Sequence, residues 1–170
     1  MANLQANLRS QCATAPDQPG KFLQSVNQLF CANTADGDYA TSFFSEYDDE
    51  SRRLRYANCG HLPNLLLRRD GSLERLNSTA TVLGLFEKWD YTLEERQLFP
   101  GDTLVLYTDG VTESFNDSGE QFGERRLIEA LQRHRTLAPQ DLIGSVLAGV
   151  RSFNPREQQD DITLIIGQVR

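Results

Sequence analysis

Between residues 39 and 108 the chain sets out one short strand pattern after another with no helical stretch among them, and this run constrains the fold most. Tyr39 to Tyr47 is rich in aromatic and hydroxyl residues, Asp48 to Ser51 is an acidic turn, and Arg53 to Asn58 alternates, so the pair predicts a hairpin. Leu65, Leu66 and Leu67 lead into Arg68-Arg69-Asp70-Gly71-Ser72, where Asp-Gly suits a tight turn with positive φ and predicts a second hairpin. Past a loop containing Gly84, Tyr91 to Phe99 alternates weakly. Pro100-Gly101-Asp102 turns the chain, and Thr103 to Thr108 predicts a short buried strand.

Helical periodicity flanks this run. Leu4 and Leu8 begin a short periodic stretch, Pro16 to Gly20 interrupts it, and Phe22, Leu23, Val26, Leu29 and Phe30 recur on one helix face. Glu124 to Arg135 places Leu127, Ile128 and Leu131 on one side. Pro139 opens a second stripe of Leu142, Ile143, Val146, Leu147 and Val150, which Gly144 and Gly149 weaken without forbidding. Ile162 to Val169 is apolar and β-branched enough for a central strand. Strands do not alternate with helices as in a doubly wound parallel sheet, so the expected class is α+β, with helices packed on antiparallel sheets. At roughly 150 residues per domain, 170 residues predict a single domain, 1–170.

Composition removes several function classes. Seventeen Lys and Arg against 24 Asp and Glu give a net charge of −7, the wrong sign for holding a phosphate backbone, so no nucleic-acid partner is expected. Arg125, Arg126, Arg133 and Arg135 lie beside Glu124 and Glu129 in a helical pattern and predict a solvated, ion-paired face. No apolar run approaches the roughly 18 residues of a membrane span, and nothing in Met1 to Gln5 resembles a secretory signal; no membrane partner and a cytoplasmic location follow as expectations. Cys12, Cys31 and Cys59 are odd in number and widely spaced, which predicts reduced thiols.

The chemistry is expected at two acidic positions. Asp109 follows the strand Leu104 to Thr108 and precedes Gly110, while Asp160-Asp161 precedes the strand from Ile162. If these strands are antiparallel neighbours, the acids converge on one sheet edge; a parallel pairing would put them at opposite edges. Converging carboxylates need a compensating cation, and hard oxygen donors suit Mg²⁺ or Mn²⁺, which can activate water and clamp a phosphoryl group. Taken singly, an Asp-Gly is a turn, as at Asp70-Gly71, and an Asp before a strand is a solvated residue. The two sites together make the metal reading competitive.

Four stretches, in order, resemble the SpoIIE-type branch of the metal-dependent protein phosphatases (PPM, or type 2C). They are Tyr56-Ala57-Asn58-Cys59-Gly60-His61-Leu62-Pro63; Pro100-Gly101-Asp102 through Thr108-Asp109-Gly110-Val111-Thr112-Glu113; Gly119-Glu120-Gln121-Phe122-Gly123; and Asp160-Asp161-Ile162-Thr163-Leu164. The resemblance implies two antiparallel sheets sandwiched between helices in αββα layers, and serine/threonine phosphatase activity at a two-metal site of Mn²⁺ or Mg²⁺. It puts catalytic metal ligation on Asp109 and Asp160, with Asp161 as a supporting neighbour and Gly110 allowing the chain to leave the strand sharply.

The resemblance also defines departures. His61 belongs to the Asn-Ala-Gly-His-like segment rather than to the family's metal-site Gly-His-Gly, and is expected to be structural; His134, on a charged helix, is expected to be exposed. The family's opening strands, with a metal-bridging Asp and the Gly-His-Gly segment, have no counterpart before Met1 to Leu8, and Asp17, Asp36 and Asp38 do not replace them. An N-terminally truncated domain with an incomplete metal site and weak or no activity is therefore expected. So are a phosphorylated regulatory protein as substrate (by resemblance an anti-sigma-factor antagonist), an upstream sensory or receiver domain, and homodimer formation through an unpaired sheet edge. The alternative is a non-catalytic, protein-binding pseudo-phosphatase; a hydrolase using His61 with Ser or Cys lacks any G-x-S-x-G nucleophile motif.

Overall fold

The computed structural model describes residues 18–35, 37–154 and 160–170, so Leu4, Leu8, Cys12, Asp17 and Asp36 lie outside the described residues. Contacts divide the described residues into two compact units, one formed by those up to 63 together with 77–97, the other by those in 64–76 and from 98 onward. Helices and antiparallel sheets in both units make the chain α+β.

The first unit contains helix α1 (Pro19–Asn33) and strands β1 (Ser42–Asp48), β2 (Arg53–Cys59) and β5 (Glu94–Gln97), in the order β1-β2-β5. The β1–β2 hairpin forms with Asp48 opposite Arg53, and Asp48 Oδ1 accepts the Ser51 N–H at 2.7 Å to close the turn. The Pro16 to Gly20 interruption ends earlier than the sequence suggests, because Pro19 occupies the first helical turn, where its missing N–H costs nothing. Phe22, Leu23 and Val26 of α1 pack with Ala57, Cys59, Leu83 and Tyr91 into the core of this unit. Asn27, 1% exposed, anchors the loop at 84–87: its amide donates to the Phe86 and Glu87 carbonyls, and its oxygen accepts the Gly84 N–H. Cys59 is buried and Cys31 half-buried, both as free thiols.

The second unit holds β3 (Asn64–Leu67), β4 (Leu73–Leu76), β6 (Thr103–Tyr107) and β7 (Leu164–Gln168), with α2 (Asp109–Thr112), α3 (Gly123–Arg133) and α4 (Pro139–Phe153). The second hairpin turns at Asp70-Gly71, where Gly71 takes φ 92° and Asp70 Oδ1 accepts the Ser72 N–H. Its sheet order is β4-β3-β6-β7. Leu65, Leu66 and Leu67 are buried on both faces of β3, and each contributes ~1.5–3 kcal/mol through removal from water. Helix α4 packs on β7 and against α3.

The structure corrects the expectation for the last strand. Among the described residues β7 is the terminal strand of its sheet, not a central one; its side chains alternate between half-buried and exposed, and Ile165 is 56% exposed. Composition alone could not separate these cases, since a β-branched run suits either position. Strand β5 is likewise shorter than the Tyr91 to Phe99 pattern. His134 is half-buried at the C-cap of α3 rather than exposed. Arg125 and Arg126 are ion-paired with Glu129 and Glu120, as the solvated-face reading requires.

Candidate metal centre

The two acidic segments meet because of the register of one strand pair. Strands β6 and β7 are antiparallel, with Tyr107 opposite Leu164 and Thr103 opposite Gln168, so the end of β6 lies beside the start of β7. The backbone pairing continues beyond the strands through Thr108 N–H donating to Thr163 O at 3.1 Å. The Thr108 hydroxyl donates to the Asp161 carbonyl at 3.2 Å and accepts the Thr163 N–H at 3.0 Å. One side chain thus fastens the segment carrying Asp160 and Asp161 to the residue before Asp109. The sequence gives only a hydroxyl residue in a strand there; the role follows from the register.

Asp109 begins the one-turn helix α2, whose closure is the Glu113 N–H to Asp109 O bond of 2.7 Å. Its side-chain Oδ1 accepts the Gly110 N–H at 3.0 Å. Gly110 is buried, and a Cβ on it would lie 2.5 Å from the Asp161 carbonyl oxygen and 3.0 Å from its carbon. Only glycine lets the two backbones approach this closely. Across the junction, Asp160 Oδ1 accepts the Asp161 N–H at 2.8 Å. Asp109, Asp160 and Asp161 are all exposed, and none forms an ion pair with a described residue.

This donor set fits a hard divalent cation. Mg²⁺ and Mn²⁺ prefer oxygen ligands, and Mg²⁺ in particular is held by one or two carboxylates while retaining several waters. Local N–H donors fix one oxygen of Asp109 and one of Asp160, leaving the other oxygen of each to a cation. Among the described residues no group of three or more His, Cys, Asp or Glu side chains is placed to hold a metal, so an ion here would rest on one or two carboxylates and water. A cavity of about 580 Å³ borders this place, lined by Asp160, Asp161, Ile162, Leu164 and one face of α4.

His61 lies in the first unit, half-buried, with Nδ1 3.0 Å from the Leu62 carbonyl. In the second unit Asp102 is a buried carboxylate, 2% exposed. It accepts from Arg68 at 2.6 Å, from the Phe99 N–H at 3.0 Å and from the Arg69 N–H at 3.1 Å, and so fixes the turn that enters β6. Sequence reading made Asp102 a turn residue; two backbone donors and a cation around it could not be seen from spacing.

The fold is that of the PP2C-type phosphatase domains. It superposes on the SiaA-PP2C domain of Pseudomonas aeruginosa with a TM-score of 0.83 at 22% identity, over 98% of this chain and 68% of that one. The family model described as Stage II sporulation protein E (SpoIIE) matches residues 1–170, and the chain belongs to that family. Among curated proteins it is similar to Protein IcfG of Synechocystis sp., with 34% identity over 89% of this chain and 26% of that protein. It is also similar to phosphoserine phosphatase RsbU of Bacillus subtilis, with 27% identity over 87% of this chain and 44% of that protein. The chain therefore spans between a quarter and a half of the length of these relatives.

Proposed function

We propose that this chain is the catalytic domain of a metal-dependent serine/threonine protein phosphatase, in which Asp109 and Asp160 hold a divalent cation beside Gly110 and Asp161. The observation that carries this reading is the β6–β7 register, which brings two unpaired carboxylate segments to one sheet edge in a chain of the SpoIIE family. The cation, Mn²⁺ or Mg²⁺, would supply charge neutralisation at the phosphoryl group and a more acidic bound water. The chain's own residues hold that place open: Thr108 clamps the Asp161 segment, and Gly110 keeps its backbone within reach of Asp109. The substrate is a phosphoserine or phosphothreonine on a regulatory protein; similarity to a phosphoserine phosphatase supports this, and an antagonist of an anti-sigma factor is the partner the resemblance implies. An upstream sensory or receiver domain in the same polypeptide and a cytoplasmic location belong to the same reading. A homodimer through the edge of β7 does too, since that edge carries exposed Ile165.

One observation favours a second reading, a protein-binding module without turnover: no third side-chain metal ligand stands among the described residues. Two carboxylates hold one ion weakly, so the isolated chain is expected to bind Mn²⁺ poorly and to hydrolyse p-nitrophenyl phosphate slowly or not at all. The test is paramagnetic broadening of amide resonances on adding Mn²⁺. Broadening centred on 108–111 and 160–163, abolished in Asp109→Asn, supports the site; broadening elsewhere, or unchanged by the substitution, overturns it. Vigorous Mn²⁺-dependent turnover lost in Asp109→Asn would instead show that the site is complete.

A further inference from the structure

We propose that Arg151 is the phosphate-recognising residue of this domain, a positioning group that receives the phosphorylated side chain in the cavity between α4 and the start of β7. The inference rests on the phosphatase reading above and adds to it the group that reads the substrate.

The cavity of about 580 Å³ combines three kinds of wall. Ile143 and Leu147 of α4 and Ile162 and Leu164 beside β7 are apolar, Asp160 and Asp161 belong to the candidate metal centre, and Arg151 is the cation on its lining. Arg151 lies in the last turn of α4 and is exposed; among the described residues no hydrogen bond or ion pair engages its guanidinium, as is true also of Arg52, Arg69, Arg133 and Arg170, and what sets Arg151 apart is its place on the cavity wall. An arginine with no partner among the described residues, on the wall of a cavity that Asp160 and Asp161 also line, is placed to pair with an anion that arrives there.

The chemistry selects which anion. A guanidinium offers parallel N–H donors that match two oxygens of a phosphate monoester, and such charge-assisted pairs are about twice as strong as neutral ones. Asp160 and Asp161 alone would repel a dianion, so occupancy by phosphate requires a cation on each side: the metal at the carboxylates and Arg151 on the helix wall. The apolar side chains offer contact to the carbon atoms of the residue bearing the phosphate. The occupant is thus a phosphorylated serine or threonine side chain, with its phosphate against Arg151.

Inorganic phosphate is the probe, titrated into the full chain with and without Mg²⁺ while the Arg151 side-chain N–H and the amides of 160–164 are followed by NMR. The expected result is a saturable shift of these signals, tighter with Mg²⁺, and affinity about tenfold weaker in Arg151→Ala, with Arg151→Lys between the two. Because Arg151 is exposed, both variants are expected to fold, which their amide spectra will show. Equal affinity in Arg151→Ala, or shifts confined to other surfaces, overturns the proposal. The Mg²⁺ titration separates the two claims: Mg²⁺-dependent shifts at Asp109 and Asp160 with an unresponsive Arg151 defeat this inference alone, while an absence of Mg²⁺ effects at those residues defeats the phosphatase reading.

Discussion

Replacing Asp102 by alanine is expected to destabilise the second unit by about 2–3 kcal/mol, near the low end for removing one partner of a buried pair. Asp102 is 2% exposed and its two oxygens accept three bonds, from the Arg68 guanidinium and the Phe99 and Arg69 backbone N–H groups. Alanine leaves all three donors without this acceptor, and an unsatisfied buried donor costs about 1–3 kcal/mol. Two facts reduce the sum. Arg68 retains Glu74, which accepts its Nε–H at 2.7 Å, and the Arg68 side chain is 18% exposed, so water reaches part of the orphaned charge.

Urea denaturation checks the figure. For a slope of ~1–3 kcal/mol per molar, the loss moves the midpoint down by about 1–3 M. Asp102→Asn keeps the volume but removes the charge and turns an amide N–H₂ toward other donors, so it should recover less than half of the loss. The double variant Arg68→Met with Asp102→Ala should be less destabilised than the sum of the singles by ~1 kcal/mol or more, because the two groups interact directly. A midpoint for Asp102→Ala within about 0.5 kcal/mol of the parent, or strict additivity with Arg68→Met, would refute the view that this carboxylate holds the entry to β6.

Gly110→Ala places a methyl group 2.5 Å from the Asp161 carbonyl oxygen, a distance the backbone can relieve only by separating the two segments. The cost is expected at about 1–3 kcal/mol, with weakened Mn²⁺ broadening at 160–163, whereas Gly144→Ala, in open space on α4, should be neutral or slightly stabilising. Burial pushes the Cys59 thiol from its ordinary value of 9.0 up to about 11. Between these values the unfolded chain has lost a proton that the native state keeps, so the unfolded state binds fewer protons and stability falls as pH rises. Urea midpoints should therefore decline between about pH 9 and pH 11, and Cys59→Ala should flatten that decline; an unchanged slope would count against burial of the thiol.

The sequence revealed strand identity well and strand environment poorly. Both hairpins are where alternation and the acidic and Asp-Gly turns put them, because turn chemistry and period-two patterning are local properties. The position of β7 within its sheet is not local. Ile165 and Ile166 have the same composition signal, yet Ile165 is exposed and Ile166 half-buried, since which face of a strand is covered depends on elements distant in sequence.

The same distinction explains what could be read of the site. Asp109 and Asp160 could be proposed from the sequence because each stands at the end of an apolar strand pattern, and a single topological assumption, antiparallel pairing, puts their segments side by side; β6 and β7 do pair antiparallel. The contacts of Thr108 and Asp102 and the place of Arg151 on a cavity wall were not legible. A threonine at a strand end, an aspartate after Pro-Gly and an arginine in a last helical turn each have an ordinary local explanation, and what distinguishes them is a partner or a cavity wall contributed from 33 to 55 residues away in sequence or from a facing element. Local pattern therefore nominates the acids on which the proposed function rests. The groups that fasten the two acidic segments to each other, Thr108 and Gly110, emerge only once the register is known, and for that reason a substitution at Gly110 tests the proposed site as directly as substitutions at its carboxylates.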